Sequence, residues 1–365
     1  TSLVAGALAF AFAPFVGRTV AAGIGIAASF GAFLVNGYAS VVPAFESLSG
    51  LSWFSWSAGH RPLAGVSDPG SLVPLALVSA LGIVIGVIGF ERRDLGAAIA
   101  LPSGGLTDRG LGLGGPARRS LAERIPVALA WGAGIGLYGA IIGASSRAFA
   151  EQLATIPAMD RLLTLIYPDV DWRTAAGMLD LVFARFAQIM LGIAAATLVA
   201  GWARDERGRR LDMLLAAPVS RVRWTVASGA GVFGALATLA VLAGAGVAIG
   251  ALAVGDDPVR PFIGALAISV FAAAVSGIGL AVGGLFGSGL AGPVAGGVAV
   301  GMFLLDFIGT ALRLPDWILN LSLTRHIGHP MVGTFDGPGI AFSLFLAVGG
   351  LAVAAWGLAR RDLLA

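Results

Sequence analysis

Apolar residues run along this chain in unbroken stretches of roughly 20 residues, the length of a bilayer-crossing helix. Charged residues fall almost wholly between the stretches. The runs are continuous, whereas the strands of a membrane barrel alternate apolar with polar, so the pattern predicts helices. Nine spans follow, at about 1–16, 19–41, 71–90, 126–146, 181–203, 225–252, 259–285, 289–311 and 338–358. The expected fold is an all-α integral membrane protein, a polytopic helical bundle. Glycines four apart, such as Gly82/Gly86, Gly132/Gly136, Gly139/Gly143, Gly279/Gly283 and Gly292/Gly296, share one helix face and suit close helix packing within the chain. Pro293 is expected to kink its span.

The pattern also repeats. One span ends at Phe90 and runs into Glu91-Arg92-Arg93-Asp94-Leu95; another ends at Leu358 and runs into Ala359-Arg360-Arg361-Asp362-Leu363. The shift of 268 residues that relates them also pairs Pro62 with Pro330, Gly65 with Gly333 and Asp68 with Asp336. With a two-residue gap, Phe33-Leu34-Val35-Asn36 aligns with Phe303-Leu304-Leu305-Asp306. Two similar halves in a very apolar chain can enclose a path across the bilayer. The second half holds six spans, and residues 1–95 match its last three. The expected organisation is a three-span C-terminal part of a first half over 1–95, a cytoplasmic connector over 96–125 and a six-span second half over 126–365. Twelve spans are then expected in the intact protein, with Thr1 falling inside a half that began earlier.

Composition strengthens this picture. Hydrophobic residues make up 57% and charged residues 12%, against roughly 25% charged in soluble domains. All basic residues are Arg, and there is no Cys, so disulfides and thiolate ligands are excluded. Placing 17–18, 91–125, 203–224, 286–288 and 359–365 on one side gives that side 15 Arg against 8 acidic residues. The other side has 8 Arg against 11 acidic residues, with Asp306 left inside a span. The Arg-rich side is expected in the cytoplasm, together with the C-terminus. On the outer side, residues 147–180 interleave Arg147, Glu151, Asp160, Arg161, Asp169, Asp171 and Arg173 with apolar positions, which suggests interfacial amphipathic helices. Trp53, Phe54, Trp56 and Trp317 sit near span ends, as headgroup-level anchors do.

Catalytic chemistry finds little support. Gly110-Leu111-Gly112-Leu113-Gly114-Gly115 fits the spacing of a dinucleotide loop, but it lies in a polar connector, not between a strand and a helix. A P-loop needs Lys, and the chain has none, so any ATP must bind another polypeptide. His326 and His329 read as loop residues and not as metal ligands. No catalytic, metal or cofactor-binding residue is expected.

Residues 203–224 are more informative. Arg207, Arg210, Leu211, Leu214 and Leu215 have helical spacing, with one charged and one apolar face. Pro218 ends that helix and Ser220 can cap the next. The stretch Asp212-Met213-Leu214-Leu215-Ala216-Ala217-Pro218-Val219-Ser220-Arg221-Val222-Arg223-Trp224 resembles one in type 2 ATP-binding-cassette exporter permeases, in particular the bacterial group of polyketide-antibiotic exporters. The Arg-Arg-Asp-Leu ends at Arg92–Leu95 and Arg360–Leu363 add to the resemblance. It implies a helix at about 204–217 that couples to an ATPase through Glu206, Arg207, Arg210, Leu211, Leu214 and Leu215. It also implies a separate ATPase partner, in two copies, that holds the ATP and Mg.

Asp306 is the outlier within the spans. An Asp at a helix centre costs about 2.5–3.5 kcal/mol by insertion scales, so it is expected to face protein or water. Its repeat partner Asn36 is polar too. Asn36 and Asp306 are therefore candidates for a translocation path between the halves. The expected function is a bacterial plasma-membrane permease subunit exporting an amphipathic antibiotic, drug or lipid-like compound. The alternative is an ion-coupled secondary transporter.

Overall fold

The computed structural model describes residues 2–39, 43–61, 65–92, 115–158, 163, 170–203 and 219–361. Its principal elements are helices: α1 (Ser2–Val16), α2 (Arg18–Tyr38), α3 (Val73–Glu91), α4 (Pro116–Ala154), α5 (Ala175–Trp202), α6 (Arg221–Ala253), α7 (Val259–Phe286), α8 (Ala291–Ala311) and α9 (Gly337–Arg360). Between α8 and α9 lies a two-residue antiparallel pair, β1 (Gly328–His329) and β2 (Thr334–Phe335). Each helix from α3 to α9 is part of a helical stretch long and apolar enough to cross a membrane. The chain is thus an all-α polytopic membrane protein. It divides into two compact units, Thr1–Gly105 and Leu106–Ala365.

Close approach through small residues builds both units, as expected where lipid supplies no hydrophobic drive between helices. In the first, Gly82 of α3 faces the Ala7 backbone of α1, and Gly86 faces Phe10. In the second, α4 lies along α6. A side chain on Gly246 would overlap the Gly136 carbonyl, and one on Gly143 would fall within 3 Å of the Gly250 backbone. Helices α7 and α9 meet the same way at Gly277–Gly350 and Gly284–Gly357. Gly192 and Gly292 let α5 and α8 meet at Ala299 and Ala200. The spaced glycines thus serve packing inside the chain.

Several helix ends differ from the sequence expectation. Helix α4 starts at Pro116, ten residues before the expected span, and runs on to Ala154. Its first turns are held by polar contacts that hydropathy does not register. Arg119 pairs with Glu123 at 3.0 Å, the Ser120 hydroxyl donates to the Ser228 carbonyl at 2.6 Å, and Arg124 donates to the Ser120 carbonyl at 2.6 Å. Pro293 does not kink α8: the helix begins at Ala291, so Pro293 lies in its first turn, where a missing N–H costs nothing. Ser220 caps α6 by accepting from the Arg223 N–H at 3.2 Å. Trp53 is buried with Val4 and Leu75, whereas Trp317 is exposed. Beyond α9, partial burial lowers the pKa of the Arg361 guanidinium from its ordinary value, and this guanidinium donates to the Gly283 carbonyl at 3.1 Å.

The sequence repeat has a structural counterpart. At the 268-residue shift, the Arg61–Val66 bridge corresponds to the His329–Thr334 pair of β1 and β2. Gly65 and Gly333 both have positive φ, 74° and 89°. Asp68 accepts from the Gly70 N–H and Asp336 from the Gly339 N–H, each capping the helical segment that follows. The segments that lead into α3 and α9 are therefore alike in bridge, positive-φ glycine and capping Asp.

Candidate functional site

The second unit contains a cavity of about 970 Å³ at the end of the bundle that carries residues 312–336. Its walls come from α5, α7, α8 and the α8–α9 loop. Phe186, Ile189, Ile268, Phe271, Phe303 and Phe307 supply an apolar lining. Polar groups converge on it from two sides.

On one side is Asp306, in α8. Its side chain is only 11% exposed. It is not a lone carboxylate. The Ser322 hydroxyl donates to Oδ2 at 2.9 Å, the Thr324 hydroxyl donates to the same oxygen, and Arg325 Nε donates to Oδ1 at 3.2 Å. Paired and hydrogen-bonded in this way, a carboxylate is tolerated where an isolated one is not. Helix α8 and the loop after it thus share one polar cluster.

On the other side is Asp180, buried at 6% exposure. It lies in a π-helical turn, Leu179–Ala184, near the start of α5; such turns recur at functional sites. His329 Nδ1 lies 2.7 Å from Asp180 Oδ2, and the Met331 N–H donates to Oδ1 at 3.3 Å. His329 is therefore more than a loop residue: it ties β1 to α5. His326 stays within the loop, with Nε2 2.9 Å from the Asn320 carbonyl oxygen and Nδ1 3.7 Å from Asp336. Among the described residues no cluster of three or more metal-ligating side chains occurs.

Asn36 lies exposed on α2 in the first unit. The 270-residue shift that pairs it with Asp306 also pairs Ser52 with Ser322. Ser52 donates to the Ala32 carbonyl of α2 at 2.7 Å, as Ser322 donates to Asp306 of α8. Each loop is thus tied back to the helix before it by a serine at the same repeat position. The expected coupling residues Glu206, Arg207, Arg210, Leu211, Leu214 and Leu215 lie outside the described residues, as does most of the glycine-rich segment from Gly110 to Gly114.

Asp180, Arg185 and His329 were missed as site residues by the sequence. Asp180 falls one residue before the expected span at 181–203, where charge reads as loop, yet α5 begins at Ala175 and carries it inside a helix; Arg185 lies within the expected span with no motif to mark it. The Asp180–His329 contact joins residues 149 positions apart, and no local pattern announces it.

Comparison with known proteins bears on the same region. The family described as "Multidrug efflux system permease Rv1217c, C-terminal domain" matches residues 119–359. The chain is also 29% identical over 347 residues to the multidrug efflux system permease protein Rv1217c of Mycobacterium tuberculosis. That alignment covers 91% of this chain and 61% of the relative, so the chain spans about three fifths of the relative's length.

Proposed function

Since the chain belongs to the family of the Rv1217c permease C-terminal domain, we propose that it is the membrane-spanning permease part of an ATP-driven exporter of amphipathic compounds such as antibiotics, drugs or lipid-like molecules. The observation that carries this reading is the coincidence of the family match over 119–359 with an aromatic-lined cavity of about 970 Å³ in the same stretch. Drug-sized ligands occupy pockets of roughly 300–1,000 Å³ with a few placed polar groups. The chain is a transport subunit and not an enzyme. ATP and Mg bind a separate ATPase pair that docks on the helix at about 204–217, and the chain itself holds no cofactor. The cavity end faces outside the bacterial plasma membrane, and the Arg-rich end, with the C-terminus, faces the cytoplasm. Asp306 belongs to the translocation path, and the repeat gives Asn36 the equivalent place in the first half.

The experiment is an accumulation assay in an efflux-deficient bacterium expressing the intact protein with the ATPase of its neighbouring reading frame. Lower accumulation of an amphipathic dye is expected, and loss of the effect when the ATPase's Walker Lys is replaced. One observation favours the ion-coupled alternative: two carboxylates and two histidines line one cavity, a start on a proton relay. Export that survives the ATPase variant but collapses with a proton ionophore would establish that alternative instead.

A further inference from the structure

The polar groups of the cavity are not equally available. Both oxygens of Asp180 are engaged, one with His329 and one with the Met331 N–H. Both oxygens of Asp306 are engaged, by Ser322 and Thr324 on one and Arg325 on the other. An incoming cation therefore finds two carboxylates already shared with donors of the fold, Asp306 with three and Asp180 with two. Arg185 is different. It lines the same cavity, is exposed, and makes no ion pair or side-chain hydrogen bond among the described residues. It sits on the first turn after the π-helical segment, beside Phe186 and one turn before Gln188. A guanidinium offers five donors in a planar fork matched to carboxylate and phosphate. Phe186, Phe303 and Phe307 line the same cavity and give it an apolar part able to hold a hydrocarbon or aromatic body.

We propose that this cavity binds an amphipathic anion, with its carboxylate or phosphate on Arg185 and its apolar body against the phenylalanines. The proposal rests on the permease reading and narrows its substrate class. A free acidic compound and an anionic lipid headgroup share this chemistry.

The test uses the purified full chain in phosphatidylcholine nanodiscs, with empty nanodiscs as the partition control. Dodecanoate and dodecyltrimethylammonium share an alkyl chain and differ in charge. Dodecanoate is expected to bind more tightly than the ammonium. R185Q should weaken dodecanoate about tenfold or more, the loss expected for one charge-assisted contact, and R185K should retain part of the affinity. Equal binding by R185Q, or preference for the ammonium, overturns the proposal. Both variants are compared with wild type by thermal melting, and a misfolded R185Q transfers the decision to R185K and to the dodecanoate–ammonium ratio on wild type. Nanodiscs containing phosphatidylglycerol then identify the source: competition with dodecanoate on wild type indicates a lipid headgroup, and its absence a free acid. Cells expressing wild type with its ATPase separate the two readings. Export of cationic dyes but not acidic ones keeps the permease reading and rejects the anion site, whereas export of neither rejects the permease reading.

Discussion

At the scale of single residues, the cavity is built from charges that the sequence rates differently. Asp306 is legible because a carboxylate inside an apolar run stands out against its surroundings. Its partners are not, because Ser322, Thr324 and Arg325 are ordinary loop residues until the chain folds back. Asp306→Leu should remove the carboxylate on which two hydroxyls and a guanidinium converge and lower stability by about 1–3 kcal/mol. Asp306→Asn, which keeps an acceptor oxygen, should cost less. Melting of the purified variants in detergent checks this, and a Leu variant as stable as wild type would dismiss the cluster as a structural contributor. The Asp180–His329 contact makes a matching prediction. Replacing either residue with Ala should destabilise, and the double replacement should cost less than the sum, by about 0.5 kcal/mol or more. Strict additivity would mean that the two side chains act independently.

At the scale of elements, the existence of the helices was legible and their ends were not. A 20-residue apolar run reports the part of a helix that sits in lipid. It says nothing of the turns beyond, where polar side chains continue the helix, as Ser120 and Arg124 do in α4. The same blindness turned the start of α5 into loop and concealed Asp180. Glycine spacing reported contact faces correctly, but which helix each face meets needed the fold. Gly246 and Gly134 separate the two roles a helical glycine can play. Gly246 faces the Gly136 backbone, whereas Gly134 faces open space. Gly246→Ala should destabilise by about 1–3 kcal/mol through overpacking. Gly134→Ala should be neutral or stabilise by up to about 1 kcal/mol through helix propensity. Equal effects at both sites would mean that α4 and α6 do not touch there. The helix proposed at 204–217 has its own test. Leu214→Asp or Arg210→Glu should release the ATPase or uncouple hydrolysis from export while leaving expression unchanged. Normal export by both variants, with the ATPase bound, would remove the docking assignment.

At the scale of the whole molecule, orientation rests on the arginine distribution, and the absence of cysteine makes it directly measurable. A Cys placed at Arg207 should resist an impermeant reagent in intact cells, and one at Trp317, which is exposed, should react. The reverse labelling would invert the map. The repeat was legible through a few loop residues, and the bridge, positive-φ glycine and capping Asp that precede both α3 and α9 are its structural trace. One more consequence concerns motion within the second half. The loop after α8 is fastened to α8 through Arg325 and to α5 through His329. Three residues lie between those two fastenings, and the four steps from Arg325 to His329 reach at most about 14 Å when fully stretched. The loop is therefore a leash. While these contacts hold, α5 and α8 can part at this end only by its length, and a spin-label pair at Phe186 and Phe307 should reach longer distances once Asp180→Ala removes the acceptor of both His329 and the Met331 N–H.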